Sequence, residues 1–329
     1  MNFVTYYDLI KDISDNISVF PDDIDIVVGI PRSGMMVANI ISLYLNKPLS
    51  DLDSFLDKRF YRNGTAKKAL SSDFSFGDIK NVLIVEDSVF KGRSITKAKQ
   101  MIGDSDLCNL NYTFFAAYVS EEKKREVDLY YRVIEQPRIF EWNYLQHPGL
   151  LNCCVDLDGV LCNDPSKNEN DDDKRYLGFL EKAEVKFYPT EKIGYIVTSR
   201  LEKYRKQTEN WLKTKNIQYE KLVMMDLDSA QERQRLNNHA DFKARWYKEF
   251  KNSDLFIESN EEQAKRINEL TGKAVFCPTS HVFYGEDGLI SAKRKAESNV
   301  KGFLLGAKRI VKKMLPDSVY QMIKKLIKK

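Results

Sequence analysis

Two pairs of acids stand where chemistry can be done. In VLIVEDSVFKGRSI, residues 82–95, four apolar residues run into Glu86 and Asp87 and then into a segment carrying Ser88, Lys91, Gly92, Arg93 and Ser94. Adjacent carboxylates accept hydrogen bonds from vicinal hydroxyls, whereas a glycine-containing loop that opens a helix offers backbone N–H groups and a favourable dipole to phosphate. In CCVDLDGVLC, residues 153–162, Asp156 and Asp158 flank one leucine and precede Gly159. On an extended chain residues i and i+2 point the same way, so both carboxylates are expected at one site. There one can attack phosphorus while the other protonates the leaving oxygen, with Mg2+ screening the charge.

Each pair needs a rigid strand behind it. Residues 82–85 read as a buried parallel strand, and the carboxyl end of such a strand is where open α/β sheets place ligands. An earlier strand, IDIVVGI at 24–30, turns through Pro31, Arg32, Ser33 and Gly34 into a helix with apolar residues at helical spacing. That turn offers Arg32 and free backbone N–H groups to a second anion. Further along, YIVTSR at 195–200 is an apolar strand reaching Thr198, Lys243 lies in HADFKARWYKEF at 239–250, and DLFIESN at 254–260 carries Glu258.

The first set of features resembles the type I phosphoribosyltransferases over roughly residues 1–145. That resemblance implies that Glu86 and Asp87 hold the ribose 2- and 3-hydroxyls of phosphoribosyl pyrophosphate (PRPP). It assigns Ser88, Val89, Phe90, Lys91, Gly92, Arg93 and Ser94 to the 5-phosphate, and Arg32, Ser33 and Gly34 to the pyrophosphate. Lys91 stands where the family usually has Thr or Ser. KRFYRNGTAKK at 58–68 lies where the family carries a loop that closes over PRPP; a solvated basic loop is the plainer alternative.

The second set resembles the haloacid dehalogenase-like phosphatases. The resemblance implies Asp156 as nucleophile, Asp158 as acid, Thr198 as hydrogen-bond partner of the phosphoryl group, and Lys243 as the cation beside the phospho-aspartate. It places Mg2+ on Asp156, Asp158 and Glu258, although the adjacent aspartates usual near the last position are missing. Arg205 and Lys206 are rival cations whose spacing also suits a solvated helix face. About thirty residues separate the first two motifs, too few for a large cap domain.

The composition, 43% hydrophobic and 30% charged over 329 residues, is that of a globular protein with room for two cores. Five cysteines without paired spacing, and three histidines, argue for reduced thiols and against a zinc site. Residues 293–329 hold 12 Lys and Arg against Glu297 and Asp317, so the tail carries +10 and the rest −6 of the net +4. Its apolar residues recur at helical spacing on either side of Pro316, the pattern of amphipathic helices lying on anionic lipid. A helix docked on the protein's own core is the alternative. A charge confined to one terminal segment argues against a nucleic-acid-binding core.

The expected architecture is therefore α/β, with two Rossmann-like doubly wound domains. These are a phosphoribosyltransferase domain at 1–148 and a phosphatase domain with a minimal cap at 149–292, followed by a basic helical tail at 293–329. A fused phosphatase implies that the product must lose its 5-phosphate. The combination resembles the enzyme pairs that put ribofuranose into bacterial surface polysaccharides, which implies a lipid-linked glycan acceptor and a cytoplasmic enzyme peripheral to the membrane's inner face. A nucleobase phosphoribosyltransferase coupled to a nucleotide phosphatase, and a PRPP-sensing regulatory module, are the alternatives.

Overall fold

The computed structural model describes residues 1–61, 74–170, 174–236 and 238–285; the expected basic tail, and 62–68 of the expected closing loop, lie outside them. In chain order the elements are β1 (Asn2–Val4), α1 (Tyr6–Asn16), β2 (Ile26–Gly29), α2 (Ser33–Leu45), β3 (Leu49–Asp51), α3 (Leu52–Leu56), β4 (Asn81–Val89), α4 (Arg93–Gly103), β5 (Asn111–Val119) and β6 (Leu129–Val133). There follow β7 (Arg138–Phe140), β8 (Cys153–Val155), α5 (Lys174–Lys182), β9 (Ile193–Leu201), α6 (Arg205–Thr214), β10 (Tyr219–Met225) and α7 (Ala230–Leu236). The last are α8 (His239–Glu249), β11 (Leu255–Ile257), α9 (Glu261–Thr271), β12 (Val275–Cys277) and β13 (Val282–Tyr284).

Among the described residues, 7–136 form one compact unit, and 1–6 with 137–285 form another. The division differs from a boundary at 148 because β1 pairs in parallel with β7, Phe3 opposite Ile139. Phe3 also stacks on Phe283, with ring centroids 4.9 Å apart. A pairing across more than 130 residues leaves no local trace in the sequence.

In the unit 7–136 all strands are parallel, in the order β3-β2-β4-β5-β6. The four residues of β2 and residues 82–87 of β4 are buried, which explains their unbroken apolar runs. One face of the sheet rests Ile26, Val28, Val82 and Ile84 on Phe55, Ile95, Ala98 and Ile102. Chain direction across the sheet reverses between β2 and β4, and a crevice opens at the carboxyl ends of such a strand pair. The Pro31–Gly34 turn and the Glu86–Asp87 pair both fall there.

The other unit carries the sheet order β10-β9-β8-β11-β12-β13, parallel except for β13, which runs antiparallel to β12. Successive residues alternate faces. Cys153, Val155, Leu255 and Ile257 join one apolar cluster, and Cys154, Val197, Phe256 and Val275 join another with Ala244, Tyr247 and Ile267. Here the reversal lies between β8 and β11, whose carboxyl ends present Asp156 and Glu258.

Candidate active sites

In the first unit the crevice is built by close packing. A Cβ on Gly34 would stand 2.7 Å from the carbonyl oxygen of Val85, so only glycine lets the start of α2 lie against the end of β4. This brings Arg32 (exposed), Ser33 (half-buried) and Gly34 (buried) alongside the acid pair. Glu86 and Asp87 are buried. The segment expected as a loop is shorter than its sequence suggests. Ser88 and Val89 continue β4, opposite Tyr118 and Val119, and the Val89 side chain belongs to the core. Only Phe90, Lys91 and Gly92 turn the chain. Gly92 takes a φ of +75°, a conformation that disfavours side chains, and α4 starts at Arg93. Lys91, Arg93 and Ser94 are exposed at that helix start, where N–H groups and cations meet phosphate.

The acid pair is electrostatically loaded. Burial, then Asp87 beside it, raises the Glu86 carboxyl to about 9, against opposing hydrogen bonds from the Asp87 backbone N–H and from Ser94. A neutral Glu86 keeps a proton that the unfolded chain gives up above about pH 4.5, so its burial weakens the fold increasingly as pH rises from there towards 9. Glu86→Gln is therefore expected to raise the melting temperature of the ligand-free protein, with a larger gain at pH 8 than at pH 5, while weakening PRPP binding. Thermal scans across pH check the first part, and calorimetric titration with PRPP the second. A gain independent of pH would show that Glu86 is ionised in the folded protein.

In the second unit Asp156 follows β8, its N–H bonded to the Ile257 carbonyl at 2.9 Å. Lys243, buried on α8, reaches Asp156 Oδ2 at 2.7 Å, Glu258 Oε2 at 2.6 Å and Gln263 Oε1 at 3.0 Å. The remaining oxygens accept backbone N–H groups, Asp156 Oδ1 from Leu157 at 2.8 Å and Glu258 Oε1 from Asn260 at 3.0 Å. Two buried carboxylates thus share one ammonium. Burial, then Glu258, holds the Asp156 carboxyl well above the usual carboxylate range, and Lys243 opposes them. Lys243 is itself raised, because Asp156 and Glu258 outweigh the burial that would lower it. Buried Thr198, on β9, accepts the Arg200 N–H at 3.2 Å. Asp156, Asp158, Thr198, Lys243 and Glu258 all line one cavity of about 350 Å3, together with Asp164, Lys186 and His239.

Asp158 departs from its expected role. The strand ends at Val155, so the alternation argued for Asp156 and Asp158 fails at the first of them. The Asp158 carboxylate turns instead to Arg200, which donates from Nη2 to Oδ1 at 2.6 Å and from Nε to Oδ2 at 3.0 Å. Cys162 Sγ adds a contact to Oδ1 at 3.3 Å. Arg200 is buried, lies 5.6 Å from the Phe179 ring centroid, and is held charged because Asp158 outweighs its burial. The signal for it was present, since an arginine near the end of the apolar run YIVTSRL needs a buried anion. Arg205 and Lys206 lie apart from this cluster. Arg205 pairs with Glu202 and Glu209, and Lys206 is exposed.

Among the described residues no three Asp, Glu, His or Cys side chains converge to hold a metal ion. The Asp158 carboxylate, taken by Arg200, does not fit the expected ligand set. Asp156 and Glu258, brought together on Lys243, match the one or two carboxylates that ordinarily hold Mg2+ with water and substrate phosphate, and each would share with the ion an oxygen it now gives to Lys243 or to a backbone N–H. An ion there would screen the charge of the phosphoryl oxygens.

The family model described as a phosphoribosyl transferase domain matches residues 6–146. Among solved structures, the purine phosphoribosyltransferase from Pyrococcus horikoshii Ot3 is similar at 18% identity over 43% of this chain and 92% of that one, with a TM-score of 0.31. The Helicobacter pylori xanthine-guanine-hypoxanthine phosphoribosyltransferase is similar at 15% identity over 43% and 90%, with a TM-score of 0.31. A chain of the Pnkp1/Rnl/Hen1 complex aligns at 16% identity over 77% and 95%, with a TM-score of 0.26. No curated protein matches the chain. The matched domain supports PRPP-dependent transfer in general, and hence a transferase. Among the described residues no helix is long and apolar enough to cross a membrane.

Proposed function

We propose that the protein is a bifunctional ribofuranosyltransferase. The unit 7–136 passes ribose 5-phosphate from PRPP to a sugar hydroxyl of a lipid-linked glycan, and the other unit removes the 5-phosphate. The observation that carries this reading is the presence in one chain of two acid clusters, each at the reversal point of its own sheet and each matched to a phosphate chemistry.

In the first step the acceptor oxygen bonds to ribose C1 as the C1–pyrophosphate bond breaks, and the hydroxyl proton passes to water. Glu86 and Asp87 fix the ribose through its hydroxyls, the Gly92 turn and the start of α4 take the 5-phosphate, and Arg32 meets the departing pyrophosphate. In the second step Asp156 attacks the 5-phosphorus, the bond from phosphorus to the ribose oxygen breaks, and that oxygen takes a proton from a water molecule as it leaves. Water then cleaves the aspartyl phosphate to inorganic phosphate, and Lys243 holds the aspartate oriented throughout. The cavity beside Asp156 suits this step because the roughly thirty residues between the first two motifs are too few for a large cap.

The test is incubation with PRPP, Mg2+ and a panel of lipid-linked glycans and nucleobases. Pyrophosphate release should depend on a glycan, which should gain a pentose and no phosphate by mass spectrometry. Release driven by a nucleobase instead overturns the acceptor assignment. The basic tail at 293–329 serves this reading as a membrane address. Removal of residues 298–329 is expected to abolish co-sedimentation with anionic vesicles, where each basic residue contributes about 1 kcal/mol, and to spare turnover of a short soluble acceptor. Binding by the full chain should fall as salt rises, and a truncated protein that still sediments would refute the assignment.

A further inference from the structure

The segment between α5 and β9 contributes Lys186 to the lining of the cavity around Asp156, and nothing in the two-step reaction above uses it. Its backbone is pinned on both sides. Val185 bridges to Cys162, the Lys186 N–H bonds to the Leu161 carbonyl at 2.9 Å, and the Thr190 N–H bonds to the Leu145 carbonyl at 3.2 Å. Gln146 Nε2 adds a bond to the Tyr188 carbonyl at 3.3 Å. Yet Phe187 and Tyr188 are 38% and 45% exposed. An exposed ring held by a fixed backbone next to a cavity-lining residue loses little ordering entropy when it meets a ligand.

Lys186 links these rings to the cavity. Its ammonium lines the cavity, donates to the Gly159 carbonyl at 2.9 Å and lies 5.7 Å from the Phe187 ring centroid. Lys243 is committed to Asp156, Glu258 and Gln263. Lys186 donates to a neutral carbonyl, with the Asp164 carboxylate near enough to feel its charge, and a phosphate oxygen can replace that carbonyl at a gain because a charge-assisted bond is the stronger one.

We propose that Lys186 and Phe187 form the part of the second site that reads the substrate beyond its phosphoryl group. Lys186 meets a phosphate oxygen, and the Phe187 face takes the apolar face of the sugar ring that bears the phosphate. The inference rests on the phosphatase reading of this unit. A sugar, rather than a flat base, is the occupant because the furanose is the group joined directly to the phosphate that Lys186 meets, and the Phe187 ring centroid lies 5.7 Å from that ammonium.

The test compares hydrolysis of acetyl phosphate, methyl β-ribofuranoside 5-phosphate and uridine 5-monophosphate by the wild type, Phe187→Ala, Phe187→Tyr and Lys186→Gln. Phe187→Ala should cut the preference for the riboside phosphate over acetyl phosphate about tenfold, mainly through KM, and Phe187→Tyr should restore it. Lys186→Gln should raise KM for the riboside phosphate with little change in kcat. An equal loss on both compounds would reduce Phe187 to a structural residue, and a loss confined to the uridine compound would assign the ring to a base; either outcome overturns the proposal. If the wild type hydrolyses none of the three, the phosphatase reading fails. The role of Phe187 is then judged by calorimetry with the riboside phosphate, where equal affinity in wild type and Phe187→Ala overturns it and a tenfold loss upholds it.

Discussion

Asp156→Asn is expected to convert the enzyme into one that releases a phosphorylated product. With PRPP and acceptor supplied, the glycan should gain ribose 5-phosphate rather than ribose, because the amide cannot form the aspartyl phosphate and hydrolysis falls by roughly 10³-fold or more. The fold should survive. Asp156 is buried among like charges, which keeps its carboxyl well above the usual range, so loss of that charge relieves the folded state while Lys243 keeps Glu258 as its partner. Stability at neutral pH is expected to hold or rise, as is common where a site stores electrostatic strain for function. Asp87→Ala supplies the converse, since it should stop formation of either product while leaving hydrolysis of a preformed riboside phosphate intact. Mass spectrometry of the acceptor decides both. Unphosphorylated ribose from the Asp156→Asn protein would mean that another group, or another protein, removes the phosphate.

The sequence exposes these sites to different depths. The strands behind both acid pairs are legible because a strand buried on both faces must be apolar throughout, and the acids that interrupt it mark its end. Lys243 was singled out by the phosphatase resemblance, and its ammonium lies between Asp156 and Glu258. What stayed hidden is pairing between remote segments. No local pattern tells that Asn2–Val4 lies beside Arg138–Phe140, or that Arg200 pairs with the Asp158 carboxylate. Nor could spacing show that Ser88 and Val89 stay in the sheet, since hydrogen bonding to β5 extends the strand past its apolar run. Strand order was equally silent, yet it places each acid cluster at a reversal of its sheet.

Lys243→Met is expected to be the most destabilising substitution in the second unit. The ammonium bonds two buried carboxylates and the Gln263 carbonyl oxygen, and its removal leaves Asp156 and Glu258 facing each other without a cation. Removal of one partner from a buried ion cluster typically costs about 3–5 kcal/mol, because the residual charge must be paired or protonated. The sign with pH follows from the shifts. The raised Lys243 contributes stability that is complete below its ordinary value of 10.5 and is lost only as pH climbs through its higher folded value. Asp156, already held above the usual carboxylate range by burial and by Glu258, must carry a proton to stay buried in the variant, so the deficit should be small near pH 4 and grow towards pH 7. Denaturant unfolding of both proteins across that interval measures the difference. Asp156→Asn added to Lys243→Met should recover a good part of the loss, with a coupling of about 1–3 kcal/mol. A Lys243→Met protein that loses less than about 1 kcal/mol at pH 7 would show that water reaches and screens these carboxylates. The cluster would then be a solvated acid pair rather than a preorganised phosphoryl site.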